Sequence, residues 1–201
     1  MNLRKLFEMQ RQLDEYIEQK HPRKEGEDRL AKKILALQVE LGELANEWRG
    51  FKFWSNDQEP RTIAERGVCV HCAGTGNAFF DDDEEEWEDC PYCKGEGEEI
   101  YNPLLEEYVD CLHFLLSIGL DENIGTLEWE QIEPLKRESI IEQFIDLFDC
   151  TVRLKTDITE YVVIWGYFIG LSEMLGYTWE QIEEAYIQKH AENIARQERG
   201  Y

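Results

Sequence analysis

The segment from Pro103 to about Ile118 places the strongest limit on what this chain can fold into. Its sequence, PLLEEYVDCLHFLLSI, is apolar on nearly every side of a helix, and a helix of that kind is buried. Glu107, Asp110 and His113 nonetheless recur at every third position, so a narrow polar stripe faces the interior. Buried carboxylates need a cationic partner or a metal ion. The segment therefore predicts a helical core that holds either a salt bridge or a metal site.

Helical periodicity runs through most of the chain, whereas strand-like alternation is scarce outside a cysteine-bearing middle segment. The second helix repeats apolar residues at alternating steps of four and three, which is typical of a bundle. We predict helices at about residues 2–19, 27–49, 103–118, 139–155, 160–175 and 179–198. The expected fold class is all-α, a helical bundle of residues 1–59 and 101–201 with a small insert at residues 60–100.

Composition excludes several classes of protein. The 44 acidic against 21 basic side chains give a formal charge of -23, which opposes binding to nucleic acid, where Lys and Arg must neutralise phosphates. Hydrophobic residues make up 42% of the chain, too many for a disordered acidic protein. The longest apolar stretch, residues 161–171, is shorter than the roughly 20 residues of a membrane span. With no secretory signal at its start, the expected location is the cytoplasm.

The second helix carries acidic residues that match those of the third. Glu40 and Glu43 are three residues apart and therefore share one helical face, and Glu47 falls between them in projection. Acidic faces are usually only solvated, but Glu40 borders the apolar stripe of its helix. Two helices that each offer acids at this spacing indicate a divalent-cation site, and oxygen ligands favour Mg²⁺ bound together with substrate phosphates. The pattern points to a nucleotide or pyrophosphate substrate.

Two CxxCxGxG units, CVHCAGTG at 69–76 and CPYCKGEG at 90–97, lie in the insert. Their cysteines are Cys69, Cys72, Cys90 and Cys93. Four thiolates can close one tetrahedral structural zinc site, and disulfides are the alternative in an oxidising compartment. The units look like the zinc modules of DnaJ-type chaperones, although two units are too few for a chaperone. We therefore expect a zinc-ribbon-like insert, which either stabilises the fold or binds a protein partner.

Residues 38–55, QVELGELANEWRGFKFWS, and residues 104–119, LLEEYVDCLHFLLSIG, resemble the dimeric all-α dUTPases of the all-α NTP pyrophosphatase superfamily. The ExxE and ExxD patterns of that family fall on Glu40 and Glu43, and on Glu107 and Asp110. The resemblance implies that these residues bind two or more Mg²⁺ ions around the triphosphate of dUTP. A water activated by the metal would attack the α-phosphorus to give dUMP and pyrophosphate, which removes dUTP from the nucleotide pool and supplies dUMP. The resemblance also implies a homodimer.

The resemblance extends to the last helix, where Lys189, Asn193 and Arg196 lie on one face. Alone, this spacing is also that of an ordinary solvent-facing surface. In the resembling family a similar spacing supplies phosphate contacts from the two basic residues and a uracil or sugar contact from the Asn. Lys and Arg suit phosphate, and an amide suits the polar edge of uracil.

Three further positions are candidates through the resemblance. Gln10 is similar to the family's uracil-reading Gln, but Gln12 is close enough to leave the register open. His113 resembles the residue that lines the deoxyribose pocket, and a satisfied core histidine is the alternative. Trp54 resembles an aromatic wall of the base pocket, with ordinary core packing as its alternative.

Three other functions compete with this interpretation. A MazG-like pyrophosphatase of broader specificity would carry the same acids. A di-iron carboxylate bundle needs a second Glu-x-x-His motif, and only Glu18 and His21, next to Pro22, offer one. A noncatalytic zinc-ribbon adaptor would explain the insert and the acidic surface, but it would leave the buried Glu107 and Asp110 without a purpose.

Overall fold

The computed structural model describes residues 3–69, 71–78, 88–122, 124 and 132–200. These residues form six α-helices and a two-stranded antiparallel sheet, so the all-α prediction is confirmed. The helices are α1 (Leu3–Lys20), α2 (Arg29–Trp48), α3 (Pro103–Asp121), α4 (Ile140–Arg153), α5 (Glu160–Met174) and α6 (Trp179–Glu198). Both ends of each predicted helix lie within three residues of the corresponding ends of the observed helix. Among these described helices, none has the length and hydropathy to cross a bilayer.

Local capping fixes where the two most important helices begin. At the start of α3, the Asn102 side chain accepts a hydrogen bond from the Leu105 amide at 3.0 Å, and Pro103 occupies the first turn. At the start of α6, Thr178 and Gln181 form a reciprocal capping box. These caps set the register of the helix with the predicted acids and of the helix with the predicted phosphate contacts.

Helix α3 lies at the centre of the fold. It packs along α2 and also contacts α1 and α6, and most of its side chains are buried, as its apolar sequence predicts. Two hydrogen bonds join α5 to α3. Tyr161 on α5 donates to the Leu115 carbonyl at 2.8 Å, and Tyr108 on α3 donates to the Phe168 carbonyl at 3.0 Å. Side chains on α3 can therefore reach groups on four neighbouring helices.

The segment after α2 leads into a β-hairpin. Arg49 ends α2 in the left-handed conformation, at φ 65°, and its buried guanidinium donates to the Asp57 carbonyl at 2.9 and 3.1 Å. Strand β1 (Ala64–Val68) then pairs antiparallel with β2 (Glu98–Tyr101), with a register irregularity between Glu65 and Val68. Strand β2 ends directly before α3. The hairpin therefore connects the cysteine-bearing segment to the start of the central helix, while the division into a core and an insert stays a prediction.

Candidate active site

Three carboxylates meet where α2 packs against α3. Glu40 and Glu43 come from α2 and Glu107 comes from α3, and each offers an oxygen within 4.8 Å of the other two. The ligand oxygens of Mg²⁺, bound at about 2.1 Å in octahedral geometry, lie roughly 3–4 Å apart. Small side-chain rotations would bring this set onto one cation. The all-oxygen donor set and its spacing therefore fit Mg²⁺.

The electrostatics of the cluster also favour a cation. Burial, reinforced by the neighbouring Asp110 and Glu43, raises the pKa of Glu107 to about 8. Burial and the charge of Asp110 raise the pKa of Glu40 to about 7. Near neutral pH these raised pKa values favour the protonated form of Glu107 and leave Glu40 only partly ionised, and a bound divalent cation would favour the ionised form of both. Perturbed carboxyl groups of this kind are typical of functional sites.

Asp110, the fourth predicted ligand, is held by a lysine beside the cluster. Lys189 on α6 places its Nζ atom 2.6 Å from an Asp110 oxygen and 2.7 Å from a Glu106 oxygen. Burial raises the pKa of Asp110 in spite of this lysine. Burial alone would lower the pKa of Lys189, but the two ion pairs outweigh it, so the lysine keeps its charge. Both interpretations of the polar stripe are thus present: Asp110 has a core ion pair, and Glu107 belongs to an acidic cluster.

A cleft of about 800 Å³ opens beside these acids, between α1, α2, α3 and α6. The predicted site residues that line it are Gln10, Glu40, Asp110, His113, Asn193 and Arg196. Its volume lies within the range of about 300–1,000 Å³ that is usual for small-molecule sites. The structure thus brings residues from four helices together around one space of nucleotide size.

Gln10 and His113 form one hydrogen-bonded unit at this cleft. The Gln10 side-chain oxygen accepts from His113 Nδ1 at 2.8 Å and from the Tyr186 hydroxyl at 2.9 Å. The His113 ring stacks on Tyr186 at 4.2 Å, and burial lowers the pKa of His113 to about 3, so the imidazole is neutral. Its Nε2 atom is buried and has no hydrogen-bond partner among the described residues. Gln10 is buried and Gln12 is exposed, so of these two glutamines Gln10 faces the site.

Trp54 lies apart from the other candidates. Its side chain is 65% exposed, and it contacts Phe53 and Phe51 edge-on, with ring centroids 5.0 and 5.7 Å away. It does not line the cleft within this chain. Asn193 and Arg196 do line it, and the Arg196 Nε atom donates to Glu192 at 3.1 Å. Two of the three residues predicted on the α6 face are therefore at the cleft, and the third, Lys189, pairs with Asp110 beside it, whereas Trp54 lies apart from the cleft in this chain.

Sequence reasoning missed Asp14, the residue that accepts a hydrogen bond from the Gln10 side-chain nitrogen. Asp14 accepts from the Gln10 side-chain nitrogen at 2.7 Å and from the Ser117 hydroxyl at 2.5 Å. Lys33 on α2 lies 3.3 Å from the same carboxylate. Asp14 is four residues beyond Gln10, on the same face of α1, and that spacing was the available signal. The partners on α2 and α3 could not be read from local sequence.

Two other acids have structural roles. Glu47 pairs with Arg61 at 3.3 Å and does not join the carboxylate cluster. Glu18 pairs with Arg29 at 2.9 Å, and the His21 ring lies 3.1 Å from a Gln197 oxygen. The second half of a di-iron site is therefore not assembled from Glu18 and His21.

The four cysteines of the two CxxCxGxG units meet as predicted. Their sulfur atoms lie within 4.8 Å of one another, all four side chains are buried, and none forms a disulfide. The Cys72 and Cys93 sulfurs are 3.7 Å apart, close to the edge of about 3.8 Å expected for a tetrahedron with Zn–S bonds of about 2.3 Å. The amides of Gly76 and Gly97 each donate to one of these sulfurs at 3.3 Å, which favours the thiolate form. The cluster fits a structural zinc ion.

The glycines of the two units are required by close backbone contacts. Gly76 and Gly97 have φ of 76° and 77°. A Cβ atom at Gly76 would lie 2.2 Å from the Gly95 carbonyl oxygen, and one at Gly97 would lie 2.5 Å from the Gly74 carbonyl oxygen. The two units therefore pack backbone to backbone, which only glycine permits.

A family model described as dUTPase matches residues 2–66 and 85–201. The match includes both acid-bearing helices and α6, and it leaves out residues 67–84, which hold the first CxxCxGxG unit. No curated protein and no solved structure is significantly similar to the chain. The family match agrees with the helical fold and with the resemblance of the two acid motifs. The chain belongs to the all-α dUTPase family, whose members hydrolyse dUTP.

Proposed function

We propose that this dUTPase converts dUTP to dUMP and pyrophosphate with Mg²⁺ ions held by Glu40, Glu43, Glu107 and Asp110. The observation that carries the proposal is the cluster of three carboxylates from α2 and α3, which lies beside a cleft of nucleotide size. Two of its members have pKa values raised to about 7 and 8, as expected of ligands that await a cation. Lys189 adds a positive charge from α6, in contact with Asp110, which lines the cleft.

The proposed chemistry is attack by water on the α-phosphorus. Bound Mg²⁺ would neutralise the triphosphate and lower the pKa of the attacking water. Glu43 is the exposed member of the cluster, so its carboxylate is the one that can take the proton of that water. The water oxygen bonds to the α-phosphorus, the bond from this phosphorus to its bridging oxygen breaks, and pyrophosphate leaves.

The rest of the cleft would hold the nucleotide. Lys189 and Arg196 bind the phosphates, and Asn193 binds the sugar or base from the same helix face. The unpartnered Nε2 atom of His113 can accept a hydrogen bond from a sugar hydroxyl. Gln10 has its oxygen committed to two protein donors and one hydrogen of its nitrogen committed to Asp14, so the second hydrogen of that nitrogen is the one that can donate to uracil O4. Cytosine presents an amino group where uracil has O4, so it would leave this buried donor unpaired.

Assembly, structural metal and location complete the proposal. We infer a homodimer, as the dUTPase family suggests. Apolar side chains on the surface support a second chain, since Leu35, Val39 and Ile145 are 61%, 50% and 59% exposed. The same proposal includes a zinc ion in the four-cysteine site and a cytoplasmic location. It also includes a catalytic core at residues 1–59 and 101–201 and an insert that offers a surface to a protein partner. The unpaired state of the cysteines supports a reducing compartment.

Hydrolysis of a nucleotide panel tests the proposed function. We expect rapid cleavage of dUTP with Mg²⁺, no cleavage with EDTA, and kcat/KM values for dCTP, UTP and dTTP lower by at least about 100-fold, because a mispaired or crowded base is rejected in the transition state. Chromatography of the products checks the result. Cleavage of all these nucleotides at similar rates would contradict dUTP specificity and indicate a broader pyrophosphatase. Cleavage of none would contradict the enzymatic proposal itself.

A further inference from the structure

The β-hairpin reaches the acidic end of the cleft through a single carboxylate. Glu106 lies in the first turn of α3, and both of its oxygens are taken. One accepts a hydrogen bond from the Arg66 guanidinium on β1, and the other lies 2.7 Å from Lys189 Nζ on α6. Lys189 also lies 2.6 Å from Asp110. A continuous chain of ion pairs therefore runs from the hairpin to a proposed metal ligand.

Residues of β2 hold Arg66 in place. Its guanidinium lies 4.1 Å from the ring centre of Tyr101 and 3.6 Å from a Glu99 oxygen. The hairpin continues directly into the cysteine cluster, since the Cys69 amide donates to the Gly97 carbonyl at 2.9 Å. The position of the guanidinium therefore depends on the pairing of two strands that end at the four-cysteine site.

We propose that Arg66 is a positioning residue, which through Glu106 sets the place and availability of Lys189 for the triphosphate. This inference rests on the proposed function, because it takes Lys189 as a phosphate contact. It gives the insert a role that the family match does not describe: the hairpin reaches the active site through one arginine.

The charges around Lys189 explain why such a residue is needed. The side chain of Lys189 is only 11% exposed, and Glu106 and Asp110 both contact it. To bind a triphosphate, Lys189 must break or lengthen its ion pairs with these two carboxylates. Arg66 forms a second ion pair with Glu106 and fixes the orientation of its carboxylate. This lowers the free energy needed to break the ion pair between Lys189 and Glu106. Without Arg66, the Glu106 carboxylate would interact more strongly with Lys189, and the carboxylate would be free to rotate.

Steady-state kinetics of Arg66→Gln test the proposal. We expect KM for dUTP to rise about tenfold while kcat changes less than about threefold, because a ground-state phosphate contact is weakened. Arg66→Lys, which keeps the charge, should recover part of the loss. The matched control is Arg153→Gln, which removes an arginine of similar exposure that pairs with Asp149 and Glu160 on α4 and α5, away from the cleft. An unchanged KM in Arg66→Gln, or an equal rise in the control, would overturn the proposal.

A double-mutant cycle separates positioning from general stabilisation. In a Lys189→Met background, Arg66→Gln should have no further effect on KM, because the residue through which it acts is gone. A role of Arg66 confined to the stability of the hairpin predicts instead that the two effects multiply. Multiplying effects would therefore overturn the inference.

Thermal unfolding without nucleotide distinguishes failure of this inference from failure of the proposed function. The Tm changes of Arg66→Gln and Lys189→Met should fail to add in the double variant by about 2 °C or more, since both residues share Glu106. If the native chain does not hydrolyse dUTP but this coupling is present, the proposed function fails and the ion-pair link to Lys189 stands. Additive Tm changes would overturn the link whatever the activity.

Discussion

Replacing Glu43 with Gln is expected to abolish dUTP turnover while the protein stays folded. Glu43 shares the carboxylate cluster with Glu40 and Glu107, and its exposed position makes it the carboxylate that meets the attacking water. We expect kcat to fall by about 1,000-fold, the upper end of the range for losing one electrostatic group that acts in a transition state. Asp110→Asn should have a comparable effect, because it removes a second proposed metal ligand.

Stability separates a catalytic loss from a folding defect. The charge of Glu43 opposes ionisation of the neighbouring Glu40 and Glu107, so removing that charge by Glu43→Gln should leave the Tm in EDTA unchanged or higher. The native chain should gain stability on adding Mg²⁺, and the variant should gain less, which thermal unfolding will measure. Glu173→Gln is the matched control, since Glu173 is exposed on α5 and pairs only with Lys136 among the described residues. Full activity in Glu43→Gln would contradict the proposed metal site.

Removal of two cysteines is expected to abolish zinc binding and the fold of the insert. The native protein should contain about one zinc per chain, and a Cys69→Ser, Cys90→Ser variant should contain none, because one thiolate is lost from each CxxCxGxG unit. The only buried cluster of this segment in the described structure is the four cysteines themselves. Structural zinc sites of this kind contribute about 10–16 kcal/mol of binding free energy at neutral pH, so the segment has little else to hold it together.

Metal analysis and limited proteolysis check this expectation. Cleavage within residues 71–78 and 88–97 should appear in the double variant and not in the native chain. The matched control is a Cys111→Ala, Cys150→Ala variant, which also removes two buried thiols but leaves the cluster intact. It should keep its zinc. Zinc retained in the first variant, or absent from the native protein, would contradict the site.

The sequence predicts what is local in this fold. All six helices are visible in the apolar periodicity, and the caps at Asn102 and Thr178 lie where the helices begin. Helix α3 runs on to Asp121, three residues past the predicted end, where Asp121 pairs with Arg23 and Lys33 from distant parts of the chain. The approach of Glu107 to the acids of α2 agrees with the prediction of a shared cation site, because buried carboxylates need a cationic partner or a metal ion.

Contacts between distant segments are what the sequence does not reveal. Nothing near Gln10 indicates that Tyr186 will occupy its oxygen, because the two meet only when α1 packs on α6. The ion pair of Asp110 with Lys189 joins residues 79 positions apart. The family resemblance predicts Trp54 at the base pocket, and within this chain its side chain is exposed and lies apart from the cleft. A loop position follows from tertiary contacts, such as that of Arg49 with Asp57, rather than from helical spacing.

The proposed function depends on attack by water on the α-phosphorus of dUTP at this site. The most direct test is to hydrolyse dUTP with Mg²⁺ in water enriched in the heavy isotope of oxygen and to find the label by mass spectrometry. We expect labelled dUMP and unlabelled pyrophosphate. Label in pyrophosphate, or products that are dUDP and phosphate, would contradict this proposal.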